Sequence, residues 1–284
     1  MATATSELSR CSENDRAPAY ADALKAFHEG FRAELTAIVD SLPLRDGMRV
    51  LDMACGDGFY ASLLAPRVAP QGMVIGLDSS LPYLRHSREG SGSYVCGTLE
   101  RFPLEAESFD FVWCAQSLYS LSEPVAALRR LRGALRPGGT IGVLENDSIH
   151  EVLLPWPSEL ELAVRQAERR ALCNQSRRPE KFYVGRELSA VLAEAGFEPM
   201  SLRSQVIDRT TPLAPAEHYF MRNYLARLSQ RVGPSLDDEH LTELRQLTDP
   251  QSPEYLLDRK HVTISWMNIL ALARRPAFGQ RRGF

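Results

Sequence analysis

At 284 residues, 44% of them apolar, with 33 basic against 36 acidic side chains, the chain can form one large domain or two small ones around a substantial core. A formal net charge of −3 supplies no field to draw a phosphate backbone, so nucleic acid is excluded as a first expectation and a small molecule is favoured as partner. Five cysteines (Cys11, Cys55, Cys96, Cys114, Cys173) form no CxxC pair, which argues against zinc, and their odd number argues against a closed disulfide framework. With no run of roughly 18 uncharged apolar residues to span a membrane, the expectation is a cytoplasmic protein, a monomer or homodimer.

Residues 1–18 lack an apolar signal core and carry acids, and read as a disordered tail. Apolar residues at helical spacing follow over 20–42 (Leu24, Phe27, Phe31, Leu35, Ile38, Leu42), closed by Pro43 and the turn residues Asp46 and Gly47. Short, almost continuously apolar segments at 49–53, 73–78, 93–97, 109–115 and 140–145 then alternate with helical stretches at 60–64, 81–88 and 123–135. Strands of that kind are buried on both faces, and the alternation predicts an α/β fold with a doubly wound, mostly parallel sheet. Past residue 150 the rhythm breaks. An Arg-rich helix over 156–178, a helix over 186–195 closed by Gly196, and strands over 200–209 and 262–273 are predicted, with a helical insert at 212–258.

The segment from Val50 to Ala61 carries the chemistry: a buried strand ending in Asp52, a small-residue turn (Ala54, Cys55, Gly56, Asp57, Gly58), then a helix start. Glycines let a ligand lie against the backbone, and the helix N-terminus offers free N–H groups. The next strand ends in Asp78, placed to accept both hydroxyls of a ribose. Taken alone, Gly56 to Ala61 also satisfies the dinucleotide form G-x-G-x-x-G/A, or a bare strand-to-helix turn.

Five ordered motifs resolve this: Asp52 to Gly58; Gly76-Leu77-Asp78-Ser79; Gly97 to Leu104; Ser108 to Trp113; and Leu131 through Leu135-Arg136-Pro137-Gly138-Gly139-Thr140. Together they resemble the class I S-adenosylmethionine-dependent methyltransferases, in particular the small-molecule group that includes the ubiquinone and menaquinone C-methyltransferases. The resemblance implies a Rossmann-like, seven-stranded sheet and S-adenosylmethionine as cofactor. It implies that Asp52 faces the cationic methionine end, that Ala54, Gly56 and Gly58 line it, and that Asp78 and Ser79 hold the ribose. Thr98 stands where the family usually has an Asp for the adenine amino group, so adenine is expected to rest on backbone around Leu99 and on apolar packing. The carbonyls of Cys114 and Ala115 would receive the ammonium, with Gln116 next to the methyl, and Tyr20 is a further cofactor-binding candidate.

Absences narrow the acceptor. The fourth strand ends Cys114-Ala115-Gln116-Ser117, not the Asn/Asp-Pro-Pro-Tyr of base-amino methyltransferases, and no Asp there joins Asn146 and Asp147 in an oxygen cage for magnesium, so no metal is expected. Only three lysines occur (Lys25, Lys181, Lys260), none four after a tyrosine, which weakens a nicotinamide oxidoreductase reading. Two insertions, 151–184 and 212–258, are expected as lids on a single domain spanning 19–284. Their aromatics (Trp156, Phe182, Tyr183, Tyr219, Phe220, Tyr224) would line a mostly apolar pocket for an aromatic or prenylated acceptor, or else pack the insertions onto the sheet. O- or C-methylation is favoured, with His150, His218 and Tyr119 as candidate catalytic groups. The alternative is a non-methylating member of the same fold, cyclase-like or a binding protein.

Overall fold

The computed structural model describes residues 19–87, 93–100, 103–177 and 179–277. The expected tail at 1–18 lies outside them, as do Arg88 and the motif residues Arg101 and Phe102.

Five strands, β1 (Arg49–Met53), β2 (Met73–Asp78), β3 (Ser93–Cys96), β4 (Phe109–Ala115) and β5 (Leu135–Glu145), pair in parallel in the order β3-β2-β1-β4-β5. Two-sided burial explains their apolar runs: Leu51, Val112 and Ile141 face one helical layer, Val50, Phe111 and Leu144 the other. Antiparallel β8 (Thr263–Arg274) closes the order beside β5, and β7 (Glu198–Thr210) covers its other edge. A two-residue strand, β6 (Val152–Leu153), continues the β5 edge of β8. Among the described residues the sheet thus has eight strands where seven were expected, and the two residues of β6 carry too little pattern to be read from sequence.

One layer holds α1 (Ala21–Gly30), α2 (Arg32–Asp40) and α3 (Phe59–Val68), with α8 (Pro215–Val232) packed on α1. The other holds α5 (Pro124–Ala134) and α7 (Val184–Glu194). Local chemistry sets these ends: Pro124 opens α5 where a missing N–H is harmless, and Gly196, at φ +86°, follows the end of α7. The short α4 (Leu81–Ser87) follows β2. In the insertions, α6 (Ser158–Gln175), α8 and α9 (Asp238–Thr248) share a separate apolar cluster built on Leu160, Val164, Leu228, Val232 and Leu244.

Two expectations need correction. The helix read over 20–42 breaks at Phe31 (φ −111°, ψ 17°). There α1 comes so close to α8 that a Cβ on Gly30 would lie 2.9 Å from Glu217 Cγ, and the Gly30 carbonyl accepts from Arg209 Nη2 at 3.2 Å. Cys96 is disulfide-bonded, against the expectation from the odd cysteine count, while Cys55, Cys114 and Cys173 are free.

Candidate active site

The strand-to-helix turn after β1 is built from left-handed residues: Ala54 at φ +56°, Gly56 at +54° and Gly58 at +79°. For the two glycines this is unstrained, but for Ala54 the Cβ crowds its own carbonyl. Gly76 of β2 is required by a close approach, since a Cβ there would meet Cys55 Sγ and Tyr94 Cδ1 at 2.7 Å. The turn is pinned to β2 by Cys55 N–H donating to the Leu77 carbonyl at 3.1 Å and by Gly56 N–H donating to Asp78 Oδ2 at 2.9 Å. Asp78 Oδ1 accepts from Ser80 N–H at 2.8 Å. Burial lifts the Asp78 carboxyl above its usual range, opposed by these N–H groups.

Asp52 lies between Gly76 and Trp113 in the sheet, is 1% exposed, and its Oδ2 has no hydrogen-bond partner. Burial, then the neighbouring Asp78 charge, holds its carboxyl well above the usual range. A buried carboxyl with one oxygen left open, beside a turn that bares its backbone at Gly56 and Gly58, fits the cationic end of an amino-acid cofactor. Asp78 fits a vicinal diol.

From the N-terminal side, His28 of α1 reaches this turn. Its ring stacks on Phe59 (4.1 Å, 8°), and Nδ1 lies 3.2 Å from Asp57 Oδ2. Burial would lift the Asp57 carboxyl, but the His28 bond and charge outweigh it and hold the group below its usual value. Tyr20 tilts against Tyr83 at 6.2 Å, and burial and the Asp78 charge raise its phenol. Ser79 is exposed beside Asp78, Thr98 is half-buried and Leu99 buried.

At the end of β4, Cys114 is buried with Sγ 3.2 Å from Ser117 Oγ, Ala115 is half-buried, and Gln116 turns left-handed (φ +49°) with its N–H on the Leu144 carbonyl at 2.7 Å. Glu145, at the end of β5, holds this turn: Oε1 accepts from Ser117 N–H at 2.8 Å and Leu118 N–H at 2.6 Å. Burial pushes its carboxyl up to about 8. Tyr119 follows on the same turn, and desolvation, then the Glu145 charge, push its phenol up to about 12. His150 is exposed on the turn after β5, and His218 is half-buried in the first turn of α8.

Of the lid aromatics, Phe220 packs on Phe27 (5.2 Å) and Trp266 (5.2 Å), and Tyr224 on Trp266 (5.9 Å). These rings, with half-buried Trp156, pack against the main core. Sequence reasoning missed a polar network beside them. Fully buried Glu168 pairs with Arg165 at 3.4 Å and Arg231 at 2.9 Å, and Arg165 also holds Glu161 at 2.7 Å and the Val152 carbonyl at 2.7 Å. Burial and the nearby Glu168 push Glu151 up to about 7, opposed by Arg231 and a bond from Asn146.

Comparison with known proteins bears on this geometry. Residues 51–143 match the family described as "Methyltransferase domain". An uncharacterized 37.1 kDa protein in transposon TN4556 of Streptomyces fradiae is 31% identical over 183 residues, which are 63% of this chain and 51% of that protein. Demethylmenaquinone methyltransferase of Staphylococcus aureus (strain JH9) is 31% identical over 113 residues, 38% of this chain and 47% of that enzyme. The chain thus spans about half the length of these curated relatives. Among solved structures, BH2331 of Bacillus halodurans C-125, described as a candidate methyltransferase, superposes with a TM-score of 0.54 at 20% identity, over 86% of this chain and 98% of that one, and shows the shared fold. The matched segment places a methyltransferase domain at residues 51–143, and the strand order and the turn after β1 agree with the class I fold, which supports S-adenosylmethionine as the cofactor.

Proposed function

We propose that the chain transfers a methyl group from S-adenosylmethionine to the oxygen or carbon of a small acceptor with a largely apolar, aromatic or prenylated body. The buried Asp52 carboxyl, with its Oδ2 unpartnered, carries this reading, because a bound cation would satisfy that oxygen and stabilise the charged form that burial disfavours. When bound, the cofactor supplies a methyl group on a cationic sulfur, displaced in line by the acceptor. The work of the chain is then to bind, align and exclude water.

In this reading Asp52 faces the ammonium end, shared with the carbonyls of Cys114 and Ala115. Ala54, Gly56 and Gly58 offer bare backbone, and Asp78 with Ser79 takes the ribose. Thr98 and Leu99 border the adenine, Tyr20 closes the mouth, and Gln116 borders the methyl. Glu145 keeps the turn bearing Gln116 in place. The insertions at 151–184 and 212–258 close over the acceptor within one domain. A hydroxyl acceptor must lose a proton, for which His150 and His218 are the proposed imidazoles and Glu151, pushed up to about 7 by burial, the proposed carboxylate. Tyr119, held neutral, serves as a hydrogen-bond donor.

The test is Asp52→Asn. Titration calorimetry with S-adenosylhomocysteine should show affinity reduced by at least ~10-fold, while the melting temperature of the ligand-free variant rises because a buried carboxylate is gone. Equal affinity in variant and wild type refutes the assigned role. Tight S-adenosylhomocysteine binding with no labelled methyl transferred to any of a broad panel of phenols, quinols and prenylated aromatics would point to a non-methylating member of the fold.

A further inference from the structure

The turn after β1 gathers three carboxyls, of which the proposed cofactor contacts use two. Asp52 serves the ammonium and Asp78 the ribose, while Asp57, standing between Gly56 and Gly58, is left over. The three share one field: burial is the main force lifting the carboxyls of Asp52 and Asp78, and the charge of Asp57 adds to it at both.

Asp57 is held from outside the turn. Its Oδ1 accepts from the N–H of Phe59, the first residue of α3, at 3.1 Å, and its Oδ2 lies 3.2 Å from Nδ1 of His28. A carboxyl held below its usual value is ionised at neutral pH and can only accept, so Nδ1 carries the proton. His28 is 5% exposed, and its ring is fixed by the Phe59 stack, by Tyr60 edge-on at 5.6 Å and by Phe27 at 5.9 Å. Arg32 lies over the Phe59 ring at 5.0 Å, and among the described residues His28 is the one basic side chain that pairs with any of the three carboxyls. The stack needs only an aromatic ring. Histidine adds a donor aimed at the one carboxylate that the cofactor does not use.

We propose that His28, acting through Asp57, sets the preference of the site between S-adenosylmethionine and S-adenosylhomocysteine. Resting on the methyltransferase reading, the proposal adds how the site tells fresh cofactor from spent. The two ligands differ at sulfur by one methyl group and one positive charge. A bare Asp57 would add its charge to those of Asp52 and Asp78 and favour the sulfonium. Methyl transfer discharges that sulfonium, so a site that holds the cation too well stabilises the ground state over the transition state. Donation from His28 offsets the surplus charge.

The test titrates both ligands calorimetrically into the full chain at pH 8 and reads the ratio of dissociation constants, S-adenosylhomocysteine over S-adenosylmethionine. At an effective dielectric of about 40, unit charges about 10 Å apart shift an equilibrium about 4-fold. His28→Ala, and His28→Phe, which keeps a ring on Phe59, should each raise the ratio at least ~3-fold. Asp57→Asn should lower it at least ~3-fold, and the double variant His28→Ala, Asp57→Asn should match Asp57→Asn alone. A merely structural role weakens both ligands alike and leaves the ratio unmoved, which overturns the proposal. So does a double variant in which loss of His28 still shifts the ratio. Failure of wild type to bind either ligand overturns instead the methyltransferase reading beneath it.

Discussion

Replacing Glu145 by alanine removes the one carboxylate that holds the turn after β4. Glu145 is 1% exposed and accepts from the buried N–H groups of Ser117 and Leu118 at 2.8 and 2.6 Å. Each N–H left unpaired costs about 1–3 kcal/mol, so the pair predicts a loss of about 4 kcal/mol before any cavity is counted. At about 2–4 °C per kcal/mol for a chain near this size, the melting temperature should fall by about 8–16 °C. Glu145→Gln keeps the accepting oxygen and should lose little at acid pH. The comparison of the two as a function of pH is decisive. A carboxyl lifted from 4.5 to about 8 in the folded protein binds a proton that the unfolded chain has released. Its stabilising contribution is therefore fully present below pH 4.5 and is lost as pH rises through about 8, at up to about 1.4 kcal/mol per pH unit. Urea unfolding from pH 5 to 9 should show wild type losing stability relative to Glu145→Gln. A wild type that gains on the glutamine variant across that range would show a carboxylate stabilised in its charged form and would refute the reasoning.

Two further outcomes follow from the turn after β1. Ala54→Gly removes a left-handed alanine, worth about 1–2 kcal/mol, against a glycine entropy cost of about 0.5–1 kcal/mol, so thermal unfolding should shift up by a degree or two. His28→Ala deletes the Asp57 bond and the Phe59 stack, for about 1–3 kcal/mol at neutral pH. Because Asp57 is held below 3.8 by His28, its contribution is present above that pH and lost as pH falls through the lowered folded value. The gap between wild type and His28→Ala in urea unfolding should therefore hold from pH 7 to 5 and shrink toward pH 3.

What sequence made legible was local. Apolar runs such as Phe109–Ala115 announce strands covered on both faces, and the turn from Ala54 to Gly58 announces its own backbone because small residues alone tolerate that path. What stayed hidden depends on partners far along the chain. Gly30 to Glu217, His28 to Asp57 and Glu145 to Ser117 are meetings that no periodicity encodes. The break at Phe31 falls inside a faultless helical spacing of Phe27, Phe31 and Leu35, because tertiary packing on α8 overrides it. Asn268 left one trace, an amide in an apolar strand, but its pairing with Gln205 exists only once β8 has taken its place.

That strand governs the order in which the molecule can be completed. β8 follows every other described element in sequence, yet it is the sole strand neighbour of both β6 and β7 and the outer neighbour of β5. Until residues 263–274 arrive, a nascent chain presents β5 as an open edge carrying Ile141, Val143 and Leu144, which is a template for wrong pairing. The half built on β1–β5 can therefore collapse during synthesis while the half built on β6–β8 waits on a long-range pairing, intrinsically the slower step. A chaperone or a bound cofactor that shelters the half-built sheet would raise the yield of this protein more than any further strengthening of its finished core.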